Sequence, residues 1–462
     1  MSRTVPLIIL GCCLLAALNP VQGGWDDGEA AWLQGDYARA QQAWLPLAQQ
    51  GDARAQYNLG LMYHKGLGIS QDDTDAVKWF RLAAEQGSAA ARYNLGLMSM
   101  EGIGLSQDNH AAMRWFRQAA EQGLASAQCA LGYMYDSGLG VPQDYHEAIR
   151  WYRAAADQGD ATARFNLGLL YYAGQSYTEA ARRFAEAAEQ GHVAAIFNLA
   201  RLYADGTGVP RDATASLKWY RSAAEAGLAE AQNQLGELYL MGDAAPQDDG
   251  EALRWFRLAA GQGNSRAQTS LGKIYQQGTI VQQDDAEALK WFLLAAQQGN
   301  TDAQFKLGVM YSKGTGVPQD YAEAARWYQQ AAEQGNAKAM NNLGYMYASG
   351  SGVLQDFVLA HMWYNQAGAN GLDLGSENRN SLASEMTSEQ IAAAQQLARE
   401  WTTRHGQVAD DQTAIAVDAR SAVPALESIT NEAPPAAGGD MQDSGTIYGP
   451  PHQRVERSRL RP

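Results

Sequence analysis

The sequence predicts an all-α protein built as a stack of helical hairpins, and three observations predict it. Trp79, Trp115 and Trp151 recur at intervals of 36 residues, as do Trp219, Trp255, Trp291, Trp327 and Trp363. Each interval holds two apolar stripes of helical period, such as Ala55, Leu59, Met62 and Tyr63, then Ala76, Trp79, Phe80, Ala83 and Ala84. Glycine recurs after each stripe, where a helix has to stop. One such hairpin cannot bury its own stripe, whereas a stack can, with stability summed over neighbours. A chain of 462 residues also exceeds the ~250–300 residues at which a single core stops growing.

The chain opens on an export signal over 1–23. Arg3 is the charged start, 5–18 is an apolar run, and Val21-Gln22-Gly23 is a small-residue cleavage site. The run is shorter than the ~20 apolar residues of a membrane span, so no integral membrane segment is expected after cleavage near Gly23 or Gly24. A lipoprotein processed at Ile9-Leu10-Gly11-Cys12 is the alternative. Removal takes away one arginine and no acid, moving the formal charge from −15 to −16. Cys12 and Cys13 leave with it, so Cys129 has no cysteine to bridge to, even in an oxidising compartment.

Residues 24–52 are a degenerate N-terminal capping repeat that carries the second half of the pattern from Gly35. Nine units fill 53–372. The fourth, 161–192, is four residues short and has Arg183 where the others have tryptophan. Two units replace the second loop glycine, with Ala244 and with Ile280. Residues 373–407 hold a C-terminal capping helix region. Residues 408–462 are rich in Ala, Pro and Gly and are expected to be a disordered tail, ending in Arg454, Arg457, Arg459 and Arg461.

The Gly66-Leu67-Gly68 loop has the composition of a phosphate cradle. It recurs from Gly102, Gly138, Gly206, Gly314 and Gly350, whereas a phosphate loop is built once, after a strand. Here the glycines follow a helix and end it, as left-handed caps do. Gln-Gly pairs such as Gln86-Gly87 end the second helices, and Asp72, Asp108, Asp144 and Asp320 are placed to cap their starts. The acidic balance excludes nucleic acid as the main partner, because a phosphate backbone demands clustered Lys and Arg. No histidine has a partner at metal-ligand spacing, and neither G-x-S-x-G nor H-E-x-x-H occurs. Cys129 sits inside a helix and reads as a buried, inert thiol. No catalytic residue, metal or small-molecule cofactor is therefore expected, and the chain reads as a non-enzyme.

The unit A-x-x-x-YNLG-x-x-Y-x-x-G-x-GV-x-x-D-x-x-x-A-x-x-W(F/Y)-x-x-AA-x-QG is almost complete in TDAQFKLGVMYSKGTGVPQDYAEAARWYQQAAEQGN (301–336). It resembles the Sel-one-like repeat (SLR) of the tetratricopeptide superfamily, bacterial exported type, over residues 35–372. The resemblance implies a right-handed α/α superhelical solenoid whose concave surface, lined by the first helices, binds other proteins. MTSEQIAAAQQLAREW (386–401) resembles the helix that closes such arrays. One cysteine-rich branch of the family has disulfide-bridged helices, and β-lactam binding or hydrolysis has been attributed to it. This chain lacks those cysteine pairs.

By the family's geometry, Arg54, Tyr57, Asn58, Leu61, His64 and Lys65 turn towards the groove. Tyr93 and Asn94, Phe165 and Asn166, and Phe197 and Asn198 hold equivalent places. An asparagine ladder suits the backbone of an extended peptide, because an amide both donates and accepts. Equally, each asparagine could bond to a neighbouring helix. The residue before it is either a groove anchor or a packing residue of the core. The expected function is a non-enzymatic interaction scaffold of the bacterial cell envelope, periplasmic or secreted, that docks a peptide or helix of a partner envelope protein. The alternatives are an assembly or regulatory subunit of peptidoglycan or exopolysaccharide machinery and, more remotely, a β-lactamase-like hydrolase.

Overall fold

The computed structural model describes residues 20–242 and 244–405. The expected tail, with its four arginines, lies outside the described residues. So does the expected leader, except for its last four residues, which begin the first helix.

The described residues are helical throughout and fall into two compact units that meet in sequence at Gln122 and Gly123. The first unit holds α1 (Pro20–Leu33), α2 (Tyr37–Gln49), α3 (Ala53–Lys65), α4 (Asp73–Glu85), α5 (Ala89–Glu101) and α6 (Asn109–Glu121). The second opens with α7 (Ala125–Ser137), α8 (Tyr145–Asp157), α9 (Ala161–Ala173), α10 (Tyr177–Ala188), α11 (Val193–Asp205) and α12 (Ala213–Glu225). It continues with α13 (Ala229–Met241), α14 (Asp249–Gly261), α15 (Ser265–Gln277), α16 (Asp285–Gln297), α17 (Thr301–Lys313) and α18 (Tyr321–Glu333). It closes with α19 (Ala337–Ser349), α20 (Phe357–Ala369), α21 (Asp373–Ala383) and α22 (Ser388–His405). From α3 to α20, odd numbers are the first helices of the repeat and even numbers the second.

The ends of these helices are set by local chemistry. First helices from α3 stop at a left-handed glycine, as at Gly66 with φ 66°, except α9, where Gly174 keeps a negative φ. Second helices start at an aspartate whose carboxylate accepts from the next turn, as Asp72 does from the N–H groups of Thr74 and Asp75; α10 is the exception and starts at Ser176 without a side-chain cap. The second loop glycine does a different job. A Cβ at Gly104 would lie 2.3 Å from the Asp73 carbonyl oxygen, so that loop rests on the backbone at the start of the previous second helix. Ile280 holds the corresponding place after α15 and packs its side chain against the core below it.

Each hairpin locks through a glycine and an aromatic ring. A Cβ at Gly60 would lie 2.6 Å from the Phe80 ring, and Gly272 meets Phe292 in the same way. The residue after each tryptophan is thus the deeper one: Phe80, Phe116, Phe256 and Phe292 are wholly buried, whereas Trp79 and Trp291 are half-buried. Truncating such a ring to alanine costs ~3–5 kcal/mol in packed cores.

Consecutive hairpins are tied by a glutamine relay. Gln86 donates through Nε2 to Gln56 Oε1 at 2.6 Å, and Gln56 donates to the Ala48 carbonyl at 3.0 Å. The same relay links Gln262, Gln232 and Ala224, then Gln298, Gln268 and Ala260. It adds a second hydrogen bond to a carbonyl at the end of a second helix that otherwise accepts from the N–H of the C-terminal turn, as Ala260 does from Gly263. Arg92 and Arg164 replace the inner glutamine and reach the equivalent carbonyls of Ala84 and Ala156.

Both ends of the described chain are covered. In the first unit Trp25 and Trp44 stack at 5.6 Å, both almost fully buried. In the second, Trp401 of α22 meets Trp363 edge-on at 6.0 Å, and Gln366 donates to the Ala398 carbonyl at 2.7 Å. In the short repeat, Gln175 takes φ 59° in the tight turn between α9 and α10. Arg183 lies there with its guanidinium 2.9 Å from Glu186.

Candidate functional site

In the first unit the expected groove residues share one side of α3 and α5, but most of them are occupied. Arg54 lies 4.1 Å over the Trp25 ring and 3.4 Å from Asp52. Tyr57 and Tyr93 are half-buried, with ring centroids 5.8 Å from Phe80 and 5.7 Å from Phe116. Leu61 is buried, and His64 Nδ1 lies 2.6 Å from Asp73. Lys65 is exposed. Asn58 and Asn94 are buried, and the Nδ2 of each has no partner among the described residues.

In the second unit, Phe165 is enclosed, stacked on His192 at 4.6 Å and 5.7 Å from Phe184. Phe197 is buried edge-on to Tyr220 at 5.6 Å. The position before the asparagine is therefore interior at both places, and Cys129 at the same position is buried as well. Burial pushes the Cys129 thiol well above its usual pKa, which leaves it protonated. Asn166 is buried. Asn198 donates through Nδ2 to the Ala194 carbonyl one turn back at 2.8 Å, so the Asn198 bond stays within its own helix.

Open clefts follow the same helical register in the second unit. Counted from the start of a first helix, the second, fifth, sixth and ninth residues are Glu230, Asn233, Gln234 and Glu237 in α13. They are Arg266, Thr269, Ser270 and Lys273 in α15, and Asp302, Phe305, Lys306 and Val309 in α17. Glu230, Asn233, Gln234, Arg201 and Arg266 line a cleft of about 740 Å³. Glu237, Arg266, Thr269, Ser270, Lys273 and Asp302 line one of about 750 Å³. Lys273, Asp302, Phe305, Lys306 and Lys338 line one of about 520 Å³. Neighbouring clefts share Arg266, then Lys273 and Asp302, so the face forms one continuous trough. Arg54, Tyr57, Asn58 and Leu61 hold these same register places in α3.

The residues expected to face a groove include these register places in α3, together with His64 and Lys65 further along the helix, but they fall on the aromatic-bearing repeats and not on the repeats that carry the clefts. The basic residues of α15, α17 and α19 were missed. Their signal was the run of Arg266, Lys273, Lys306 and Lys338 at equivalent places in an acidic chain. Among the described residues no helix is long and apolar enough to cross a membrane.

The family model described as the Sel1 repeat matches residues 53–88, 89–124, 125–160, 161–192, 193–228, 229–264, 265–300, 301–336 and 337–372. The protective antigen c5321 of uropathogenic Escherichia coli, which displays an SLR fold, is 32% identical. The match covers 86% of this chain and 96% of that one, with a TM-score of 0.53. A Sel1 repeat protein from Oxalobacter formigenes is 30% identical over 79% of this chain and 93% of its own, with a TM-score of 0.40. The immunity protein Pa5087 from Pseudomonas aeruginosa is 25% identical over 43% of this chain and 75% of its own, with a TM-score of 0.31. A comparison with curated proteins gave no match.

Proposed function

The chain belongs to the Sel1 repeat family, whose helical arrays are protein-interaction scaffolds and typically non-catalytic, and from that membership we propose that it docks a peptide or helix of a partner along its first-helix face. The observation that carries this reading is the trough itself. Its lining residues keep one register over successive first helices while their chemistry changes from repeat to repeat. The recurring frame of glycines, aromatics and glutamines holds the helices together, and the register residues are left for recognition. An envelope setting is part of the proposal. It is supported by the leader-like residues 1–23 and by the description of the E. coli relative as a protective antigen.

The test is a crosslinking pull-down from envelope extract with the chain from residue 24 as bait, beside the same bait carrying Ser270→Trp to fill the trough. Capture of a partner that is lost with Ser270→Trp, at unchanged helical circular dichroism, supports docking in the trough. A partner retained by the variant, or none captured by either bait, overturns it.

A further inference from the structure

The trough carries opposite charge along its length. The protein bears a formal charge of −15, yet the register places of α15, α17 and α19 present Arg266, Lys273, Lys306 and Lys338 against the single acid Asp302. Asp302 neutralises Lys273 at 3.2 Å. Arg266, Lys306 and Lys338 make no ion pair among the described residues. Lys306 is half-buried, and its pKa is lowered first by that burial and then by the nearby Lys273 and Lys338, against the opposing pull of Asp302. Cations from neighbouring first helices thus stand close enough to oppose the charge of Lys306, with Asp302 as the acid among them. On α11 and α13 the sign reverses: Asp205, Glu230 and Glu237 outnumber Arg201, and Arg266 of α15 reaches into the cleft of Asp205 and Glu230.

We propose that this trough receives an extended polypeptide segment with an acidic block over α15, α17 and α19 and a neutral or basic block over α11 and α13. The inference rests on the docking reading above and names the chemistry of its partner. A bound carboxylate would relieve the crowding at Lys306 and find unpaired cations at Arg266 and Lys338, as electrostatic complementarity requires. A uniformly anionic polymer, such as a polyuronate, would meet repulsion at Asp205, Glu230 and Glu237, whereas a polypeptide can change sign along its length. The wall also suits a peptide backbone. Ser270 offers a hydroxyl and Asn300 an amide Nδ2, its Oδ1 being used to cap α17, and Asn233, buried in the wall, has an Oδ1 with no partner among the described residues.

Fluorescence anisotropy on the full chain tests this. An extended strand advances ~3.3 Å per residue, so labelled probes of about twelve residues reach across several first helices. The probes are a Lys-Ser/Glu-Ser block peptide, its Glu→Gln counterpart, and an oligogalacturonate of similar length. The block peptide should bind, and more weakly as salt rises. Its Gln counterpart should bind about tenfold more weakly, and so should the block peptide on the Lys306→Gln/Lys338→Gln double variant. Lys306→Arg should keep the affinity. Lys338→Gln alone, at an exposed position, carries the test if the double variant fails to fold.

Equal binding of the Gln peptide, binding of oligogalacturonate as tight as that of the block peptide, or unchanged affinity in a folded lysine variant overturns the proposal. The two readings fail separately. A partner lost with Ser270→Trp but retained by the double lysine variant sinks only the charge assignment. An empty pull-down sinks the docking reading.

Discussion

α3 and α15 are built on one frame and used differently. Both end in a left-handed glycine, both set a mid-helix glycine against a buried aromatic ring, and both anchor a glutamine relay. At the fifth register place α3 carries Tyr57, which leans on Phe80, whereas α15 carries Thr269, which bonds back to the Ser265 carbonyl at 2.8 Å. At the ninth place Leu61 is buried, whereas Lys273 lines two clefts. A repeat therefore separates two jobs by position. Residues that meet the neighbouring helix keep closely related chemistry, glutamine giving way to arginine at Arg92 and Arg164, and the more variable ones decide whether a stretch of surface is closed or open.

The largest effect should come from the shared frame. Phe256→Ala should cost ~3–5 kcal/mol, because a ring packed against Gly236 leaves a cavity that the helices cannot close. Urea denaturation followed by circular dichroism measures it, and a loss below ~1 kcal/mol would mean that the rings are interchangeable filler. The double change Tyr57→Ser/Tyr93→Ser should lower stability by ~2 kcal/mol, since both rings are half-buried against partners. Thr269→Ser in α15 should be close to neutral. An unchanged melting curve in the tyrosine variant would restore those rings as free anchors and erase the contrast between the two helices.

Gln268→Ala breaks one relay and strips the Ala260 carbonyl and Gln298 of a partner. The expected cost is ~1–3 kcal/mol, read as a shift in denaturation midpoint. Gln329→Ala, whose amide bonds only to exposed Glu333, serves as the control.

His192 sharpens the comparison through pH. Its neutral Nδ1 caps α11 by accepting from the Ala195 N–H at 3.2 Å, and burial lowers its pKa below the usual 6.5. The unfolded chain therefore takes up a proton that the folded chain resists. The stability it contributes is complete above about pH 6.5 and falls as pH drops below that value. His192→Asn keeps a cap without titrating there, so its melting temperature should vary less between pH 7 and pH 5 than that of the parent. The smallest effect belongs to Lys273→Gln, which should change stability by ~0–1 kcal/mol because both ends of its ion pair with Asp302 are largely exposed.

Much of this was legible beforehand, for reasons that differ from residue to residue. Glycine at Gly66 and aspartate at Asp72 act within a turn of their own position, so their roles as caps follow from residue type and spacing. The tryptophan period and the stripes beside it identify paired helices, because burial of one helix face repeats every 3.6 residues whatever lies opposite. The candidate groove register came from the resemblance to the Sel-one-like repeat and not from the period. The partners across the hairpin were not. That Phe80 lies deeper than Trp79, that Gln86 reaches Gln56, and that Phe165 is sealed by His192 each depend on contacts between segments distant in sequence.

The sequence by itself determined an all-α array of paired helices and where those helices start and stop, since these are local consequences of backbone capping and helical period. Only the tertiary structure decided which of the register residues stand open and which are closed over by a neighbour, and that four cations from three helices meet along one trough, because burial and electrostatic potential are properties of side chains brought together across repeats.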